Sequence, residues 1–113
     1  MWALVTGATS GIGAEFTKLL ARAHYDIILV ARDEIRLKKS AEELKKEFGV
    51  ATEIIVADLS VGNELVKVEQ RLLTTDPSLA VGVLINNAGY GLKGRFINHT
   101  SAAEVDLLNV LVT

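Results

Sequence analysis

Three glycines that follow a short apolar run constrain the fold of this chain more than any other feature. The apolar run W-A-L-V begins at Trp2, and the sequence from Val5 to Gly13 reads V-T-G-A-T-S-G-I-G. Apolar residues then recur at helical spacing, as at Phe16 and Leu19. A strand, a glycine-rich turn and a helix in this order hold the pyrophosphate of a dinucleotide in open α/β sheets. We therefore predict a dinucleotide site at this turn.

Each of the three glycines has a separate role in this prediction. Gly7 allows a sharp turn after the strand, Gly11 lets the backbone approach the pyrophosphate, and Gly13 lets the helix pack close to the sheet. Backbone N–H groups at the start of the helix then face the phosphates. No Gly-Lys-Ser/Thr follows the glycines, which disfavours a P-loop. The alternative is a glycine-rich turn that binds no ligand.

Strand-like and helix-like segments alternate along the chain, which predicts an α/β fold with a parallel sheet. The predicted strands are residues 2–6, 26–31, 52–57 and 81–85. The second helix is predicted to begin after an N-cap at Asp33 and to stop at Gly49. The third helix, around Leu65, Val68 and Leu72, ends near Asp76-Pro77; the fourth is capped by Ser101, with Glu104 as its capping-box partner. One domain over residues 1–113 is expected.

Composition excludes several classes of function. The chain of 113 residues has no cysteine, so disulfides, thiolate metal sites and cysteine nucleophiles are excluded. A net charge of −2 gives no general attraction to nucleic acid or to an anionic membrane. No apolar run approaches the roughly 18 residues that span a bilayer. No Asp/Glu/His cluster has the spacing of metal ligands. We expect a cytoplasmic protein without a metal, a nucleic-acid partner or a membrane partner.

The end of the second strand predicts which dinucleotide binds. An acidic residue there would bind the 2′-hydroxyl of NAD, whereas a nearby arginine would accommodate the 2′-phosphate of NADP. The chain has Ala31 and then Arg32, whose guanidinium suits a phosphate. Asp33 argues for NAD, but we interpret it as the N-cap of the second helix. We predict NADP(H) in preference to NAD(H); an exposed Arg32 without a role is the alternative.

Two further motifs follow the third and fourth strands, and together with the first they resemble a known family. A-D-L-S runs from Ala57 to Ser60, and L-I-N-N-A-G runs from Leu84 to Gly89. With the glycine turn and V-A-R at residues 30–32, the whole chain resembles the N-terminal portion of the classical short-chain dehydrogenase/reductase family. The resemblance implies a Rossmann-like doubly wound sheet, here partial, with the strand order 3-2-1-4.

The resemblance also implies a role for individual residues. Arg32 would meet the 2′-phosphate, Asp58 would accept a hydrogen bond from the adenine amino group, and Leu59 would pack beside the ring. Thr6 would tie the first strand to the N-N-A-G segment. Asn109 would be the asparagine of the catalytic tetrad, which holds a water in the proton relay. The phosphate path would be lined by Gly7, Thr9, Ser10, Gly11, Ile12 and Gly13, and the ribose and pyrophosphate side by Asn86, Ala88 and Gly89. A turn or capping role for Asp58 and a structural role for Asn109 are the alternatives.

The reaction implied by the resemblance is hydride transfer between nicotinamide and a small-molecule carbonyl or alcohol substrate. It needs a serine and a Y-x-x-x-K pair, and neither tyrosine fits: four residues after Tyr25 is Leu29, and four after Tyr90 is Gly94. We expect these groups beyond Thr113, so that the fragment alone is inactive and only marginally stable or self-associated. The full protein would be a homo-oligomer. The alternative is a non-catalytic NADP-binding or sensing module, or a truncated pseudoenzyme.

Overall fold

The structure is a computed structural model that describes residues 1–87. Its main elements are β1 (Trp2–Thr6), α1 (Gly11–Arg22), β2 (Asp26–Ala31), α2 (Glu34–Phe48), β3 (Thr52–Val56), α3 (Leu65–Leu72) and β4 (Val81–Asn86). Single 3₁₀ turns at Gly62–Glu64 and Pro77–Leu79 precede α3 and β4. The predicted fourth helix, with Ser101, Glu104 and Asn109, lies outside the described residues, as do Ala88 and Gly89.

The four strands form one parallel sheet in the order β3-β2-β1-β4, which confirms the predicted order. Thr6, the last residue of β1, is level with Val30 of β2 and Asn86 of β4. Ala31 is level with Val56 of β3. The carboxyl ends of all four strands therefore reach the same edge of the sheet, and the predicted motifs follow them there.

Alternate residues of each strand face opposite sides of the sheet, and helices cover both sides. On one side, Leu29 packs with residues of α1 and α2 such as Ala21 and Leu37. On the other, Ile28 packs with residues of α3 such as Val68. This is the doubly wound, Rossmann-like arrangement. Complete burial of one such leucine or isoleucine stabilises a fold by about 1.5–3 kcal/mol, so burial of the two faces of the sheet contributes strongly to the stability of the fold.

Most predicted boundaries are confirmed, with small differences at three ends. Asp33 Oδ1 accepts a hydrogen bond from the Arg36 N–H at 3.2 Å as the N-cap of α2, and Gly49 ends that helix at φ 71°. β3 ends one residue earlier than predicted and β4 one residue later. α3 ends at Leu72 rather than near Pro77, because Asp76 caps a separate 3₁₀ turn through the Ser78 N–H at 2.9 Å.

A polar network closes the amino edge of the sheet. The Arg71 side chain of α3 is only 10% exposed, and its Nε lies 2.9 Å from Glu53 Oε2 on β3. Its Nη1 donates to the Leu79 carbonyl at 2.6 Å, and its guanidinium lies 5.3 Å from the Trp2 ring centroid. The Trp2 indole N–H donates to the Ser78 carbonyl at 3.1 Å. One arginine thus links α3, β3, β1 and the turn before β4.

Candidate functional site

A cleft of about 400 Å³ opens at the carboxyl ends of β1, β2 and β3. Its lining residues are Gly7, Thr9, Ser10, Val30, Ala31, Arg32, Asp33, Arg36, Ala57, Asp58, Leu59 and Asn87. Six predicted cofactor residues are among them: Gly7, Thr9, Ser10, Arg32, Asp58 and Leu59. A groove of about 560 Å³ between α1 and α2 is larger, but it lies away from the strand ends and contains none of the predicted residues. Ligands of open α/β sheets bind at strand ends, so we take the smaller cleft as the site.

The glycine turn is held by its own backbone and by one contact that requires glycine. Gly7 has φ 62°, a left-handed conformation that an L side chain rarely adopts. A Cβ at Gly13 would overlap the Gly7 carbonyl oxygen. We predicted a close approach of Gly13 to the sheet; the contact that excludes a side chain is instead with the turn itself. Gly11 is different, because a Cβ there would meet nothing within 4 Å.

Ser10 is the N-cap of α1, and all three hydrogen-bonding positions of its hydroxyl are used. The hydroxyl donates to the Gly7 carbonyl at 2.8 Å and accepts from the Gly13 N–H at 3.2 Å. It also accepts from Asn87 Nδ2 at 2.8 Å. A hydroxyl has one donor and two acceptor positions, so Ser10 serves the turn in this structure. Its predicted place on the phosphate path stays a prediction.

Asn87 is a residue of the cleft that our sequence reasoning did not assign. Its Nδ2 reaches both the Gly7 carbonyl, at 3.3 Å, and Ser10 Oγ. Neighbouring residues of a strand point to opposite sides, so the pair N-N at the end of β4 must send one side chain each way. This alternation of side chains could have predicted from the sequence that Asn86 and Asn87 have different surroundings.

Asn86 points into the fold rather than into the cleft. It is 3% exposed, and its Oδ1 accepts a hydrogen bond from Thr6 Oγ1 at 3.0 Å. The predicted connection between Thr6 and this segment is therefore present. Ile12 also lies off the cleft: it is 65% exposed and borders an apolar surface with Gly11, Phe16 and Leu19. The cofactor roles implied for Asn86, Ile12 and Gly11 stay predictions.

Two arginines line the cleft on the β2 side. Arg32 follows β2 and is exposed, and Arg36 lies in the first turn of α2. Arg36 Nη2 donates to the Thr9 carbonyl in the glycine turn over 3.4 Å, a long and therefore weak hydrogen bond. Within residues 1–87, no carboxylate forms an ion pair with either guanidinium.

Asp58 forms a compact turn after β3. Its Oδ1 accepts hydrogen bonds from Ser60 Oγ at 2.6 Å and from the Ser60 N–H at 3.0 Å. These two bonds hold the pKa of the Asp58 carboxyl below its usual value; partial desolvation opposes them, and the charge of Arg32 adds to them. The turn role that we gave as the alternative is therefore real. The adenine role stays a prediction, which the ionised carboxylate and its place in the cleft allow.

A pair of charged residues holds the same turn from behind. Glu64 Oε1 accepts from the Asp58 N–H at 3.1 Å and lies 3.7 Å from Lys67 Nζ. Lys67 Nζ in turn donates to the Val56 carbonyl at 3.1 Å. The two residues thus form hydrogen bonds with the backbone on both sides of Ala57. These hydrogen bonds fix the position of Asp58 at the cleft.

The chain belongs to the short chain dehydrogenase family, whose sequence model matches residues 1–112. Among solved structures, a short-chain dehydrogenase from Sphingobium yanoikuyae in complex with NADPH is 42% identical to this chain. The match has a TM-score of 0.71 and covers 96% of this chain and 41% of that one.

Curated relatives include both enzymes and a protein named inactive. A very-long-chain 3-oxoacyl-CoA reductase of Laccaria bicolor is 35% identical over 98% of this chain. The inactive hydroxysteroid dehydrogenase-like protein 1 of Homo sapiens is 40% identical over 96% of it. The chain spans 33% of the length of each of these two relatives.

The described part of the chain contains neither a cluster of metal ligands nor a membrane-spanning helix. Among residues 1–87, no three His, Cys, Asp or Glu side chains are grouped so that they could hold a metal ion. None of the helices in the same range has the length and apolar character needed to cross a bilayer.

Proposed function

We propose that the protein carrying this chain is an NADP(H)-dependent short-chain oxidoreductase that transfers a hydride between nicotinamide and a carbonyl or alcohol substrate. This chain would supply its cofactor-binding portion. The observation that carries the proposal is the cleft at the strand ends, where Arg32 forms no ion pair with a carboxylate among the described residues. Membership of the family and its NADPH-bound relative support the same conclusion.

The residues of the cleft fit the adenosine and pyrophosphate portions of a dinucleotide. The open space beside Gly11 leaves room for a close approach to the start of α1. The first N–H groups of a helix lack acceptors within the helix, so they can donate to phosphate oxygens there. Leu59 supplies an apolar surface for a base, and Asp58 supplies an ionised acceptor beside it.

The preference for NADP(H) rests on the end of β2. The position that binds the ribose 2′-hydroxyl of NAD through an acid in related folds is Ala31 here, and Arg32 follows it. Asp33, the acid nearest to this position, already serves as the N-cap of α2 through its Oδ1. A guanidinium can bind a phosphate through two parallel, charge-assisted hydrogen bonds. Its interaction with an uncharged 2′-hydroxyl would be weaker.

A bound nicotinamide cofactor would supply the hydride chemistry, and this chain would bind and orient it. Asn109, matched to the family's tetrad only by sequence, would hold a water in the proton relay. The remaining proton-transfer groups would be a serine and a Y-x-x-x-K pair beyond Thr113, since no such pair occurs in the 113 residues. We further propose a cytoplasmic homo-oligomer acting on a small molecule.

Titration of the full protein with NADPH and NADH tests the cofactor preference. Loss of a charge-assisted hydrogen bond costs about 1.5–3 kcal/mol, so Arg32→Ala should weaken NADPH binding roughly 10–100-fold. NADH binding should change little. Arg22→Ala, an exposed arginine at the far end of α1, is the matched control. Equal losses for both dinucleotides, or none, would contradict the 2′-phosphate role.

A non-catalytic NADP-binding module is the second candidate, favoured by one observation. A relative named inactive is as similar to this chain as the relatives named reductases. The two candidates differ in the sequence that follows Thr113 in the whole protein. A serine with Y-x-x-x-K and NADPH-dependent ketone reduction would support the enzyme, whereas tight NADPH binding without turnover would support the module.

A further inference from the structure

We propose that Arg36 is a second specificity-determining residue of the cleft, which binds the adenosine 2′-phosphate together with Arg32. The inference rests on the proposed NADP(H) function and extends it to a residue that the sequence motifs do not assign. Arg36 would act by direct contact with the phosphate.

Both arginines line the cleft on the β2 side. Arg36 Nη2 touches the Thr9 carbonyl, so its guanidinium lies against the turn that follows β1. Arg32 directly follows β2, and its charge acts on Asp58. An anion bound in the cleft at the end of β2 therefore has two cations available to it.

Charge balance in the cleft explains why one arginine is not sufficient. The cleft contains two arginines and two aspartates, Asp33 and Asp58. Asp33 follows Arg32 at the end of β2, and the charge of Arg32 also acts on Asp58. With Arg32 alone, the two carboxylates would outnumber the cation and repel a phosphate. Arg36 balances the second carboxylate, which favours binding of a phosphate monoester with about −1.5 to −2 charges.

Arg36 is also held in a position to act. Its N–H is fixed by Asp33 Oδ1 at 3.2 Å, so the residue that starts α2 sets the direction of the arginine one turn later. Its single side-chain hydrogen bond within residues 1–87, to Thr9 at 3.4 Å, is long and occupies one of five guanidinium N–H donors. The other donors are available to phosphate oxygens.

A titration with ligands that differ only in the 2′-phosphate tests this directly. Adenosine 2′,5′-bisphosphate and AMP, then NADPH and NADH, are titrated into the full protein as wild type, Arg36→Ala and Arg36→Lys. We expect Arg36→Ala to weaken the two 2′-phosphorylated ligands about tenfold or more, the loss typical of one charge-assisted hydrogen bond. AMP and NADH should change by less than about twofold, and lysine should restore part of the affinity because it keeps the charge but not the planar fork.

Three outcomes separate the possibilities. Lys39→Ala removes a charge from the same helix outside the cleft and should leave the ratio of the two affinities unchanged. Equal weakening of AMP and of the bisphosphate by Arg36→Ala would show that Arg36 only holds the Thr9 turn, and would overturn the inference alone. An unchanged bisphosphate affinity would do the same. If the wild-type protein bound no dinucleotide, the proposed function would fall as well.

Discussion

The two edges of one sheet hold arginines in opposite circumstances. At the amino edge, Arg71 is almost buried and is paired with Glu53 at 2.9 Å. At the carboxyl edge, Arg32 and Arg36 line a cleft, and within residues 1–87 neither forms an ion pair with a carboxylate. The same side chain therefore stabilises the fold in one place and is left available for an anion in the other.

A structural cation can be distinguished from a binding cation by what its removal changes. A structural arginine has its charge satisfied inside the protein, so its removal should change the free energy of unfolding and not ligand affinity. A binding arginine should show the reverse. Three substitutions outside the proposed phosphate contacts should change the free energy of unfolding by decreasing amounts.

Gly13→Ala should have the largest effect on stability. Its Cβ would overlap the Gly7 carbonyl oxygen, and the backbone of the turn cannot yield as a flexible side chain can. Forced overpacking costs about 1–3 kcal/mol or more, so we expect a loss of roughly 3 kcal/mol in chemical denaturation. Gly11→Ala is the matched control: it has open space, so stability should be kept while dinucleotide binding falls. Similar melting curves for the two variants would contradict this account.

Arg71→Ala should have the second-largest effect on stability. It removes the ion pair with Glu53, the hydrogen bond to the Leu79 carbonyl and the contact with Trp2. Breaking a fully buried pair costs about 3–5 kcal/mol, but Glu53 is 35% exposed and can be rehydrated, so we expect about 2 kcal/mol. Urea denaturation gives the stability and NADPH titration gives the affinity. If Arg71→Ala lowered the affinity for NADPH without lowering the free energy of unfolding, the distinction between a structural arginine and a binding arginine would be wrong.

His24→Gly should have the smallest effect on the free energy of unfolding, and it should raise that free energy rather than lower it. His24 is the only non-glycine residue of the described range with positive φ, at 71°. Relief of a left-handed conformation gains about 1–2 kcal/mol, and the greater freedom of glycine in the unfolded chain removes about 0.5–1 kcal/mol of that. A net gain of about 0.5–1 kcal/mol should appear as a raised midpoint of thermal unfolding. Gly49→Ala, at the same φ after α2, should lower it by a similar amount.

The fold was largely predictable because its signals are local and repeated. Branched apolar runs predicted the four strands, and Asp33 and Gly49 predicted the two ends of α2. The alternation of strands and helices predicted the parallel sheet. The end of α3 was wrong by several residues, because the Asp76–Ser78 turn competes with the helix through a side-chain hydrogen bond that apolar spacing does not reveal.

The site was only partly predictable, since motif positions do not specify which way a side chain points. Arg32, Asp58 and Leu59 line the cleft as expected, whereas Asn86 turns inward and Asn87 faces the turn. Arg36 was placed in the first turn of the second helix but was given no role in the site, because it belongs to a helix rather than to a motif. Its importance depends on the distance to Thr9, which is 27 positions away in the sequence.

The contact between Asn87 and the glycine turn has a consequence for the order of folding. Asn87 reaches the Gly7 carbonyl from 80 positions along the chain. Contacts between distant residues form late, because the entropy of closing a long loop must be overcome first. The unit of β1, α1 and β2 can assemble from near neighbours, while the turn gains its last hydrogen bonds only after β4 has docked. The glycine turn is therefore expected to become fully ordered only after β4 has docked, although its own residues lie between β1 and α1.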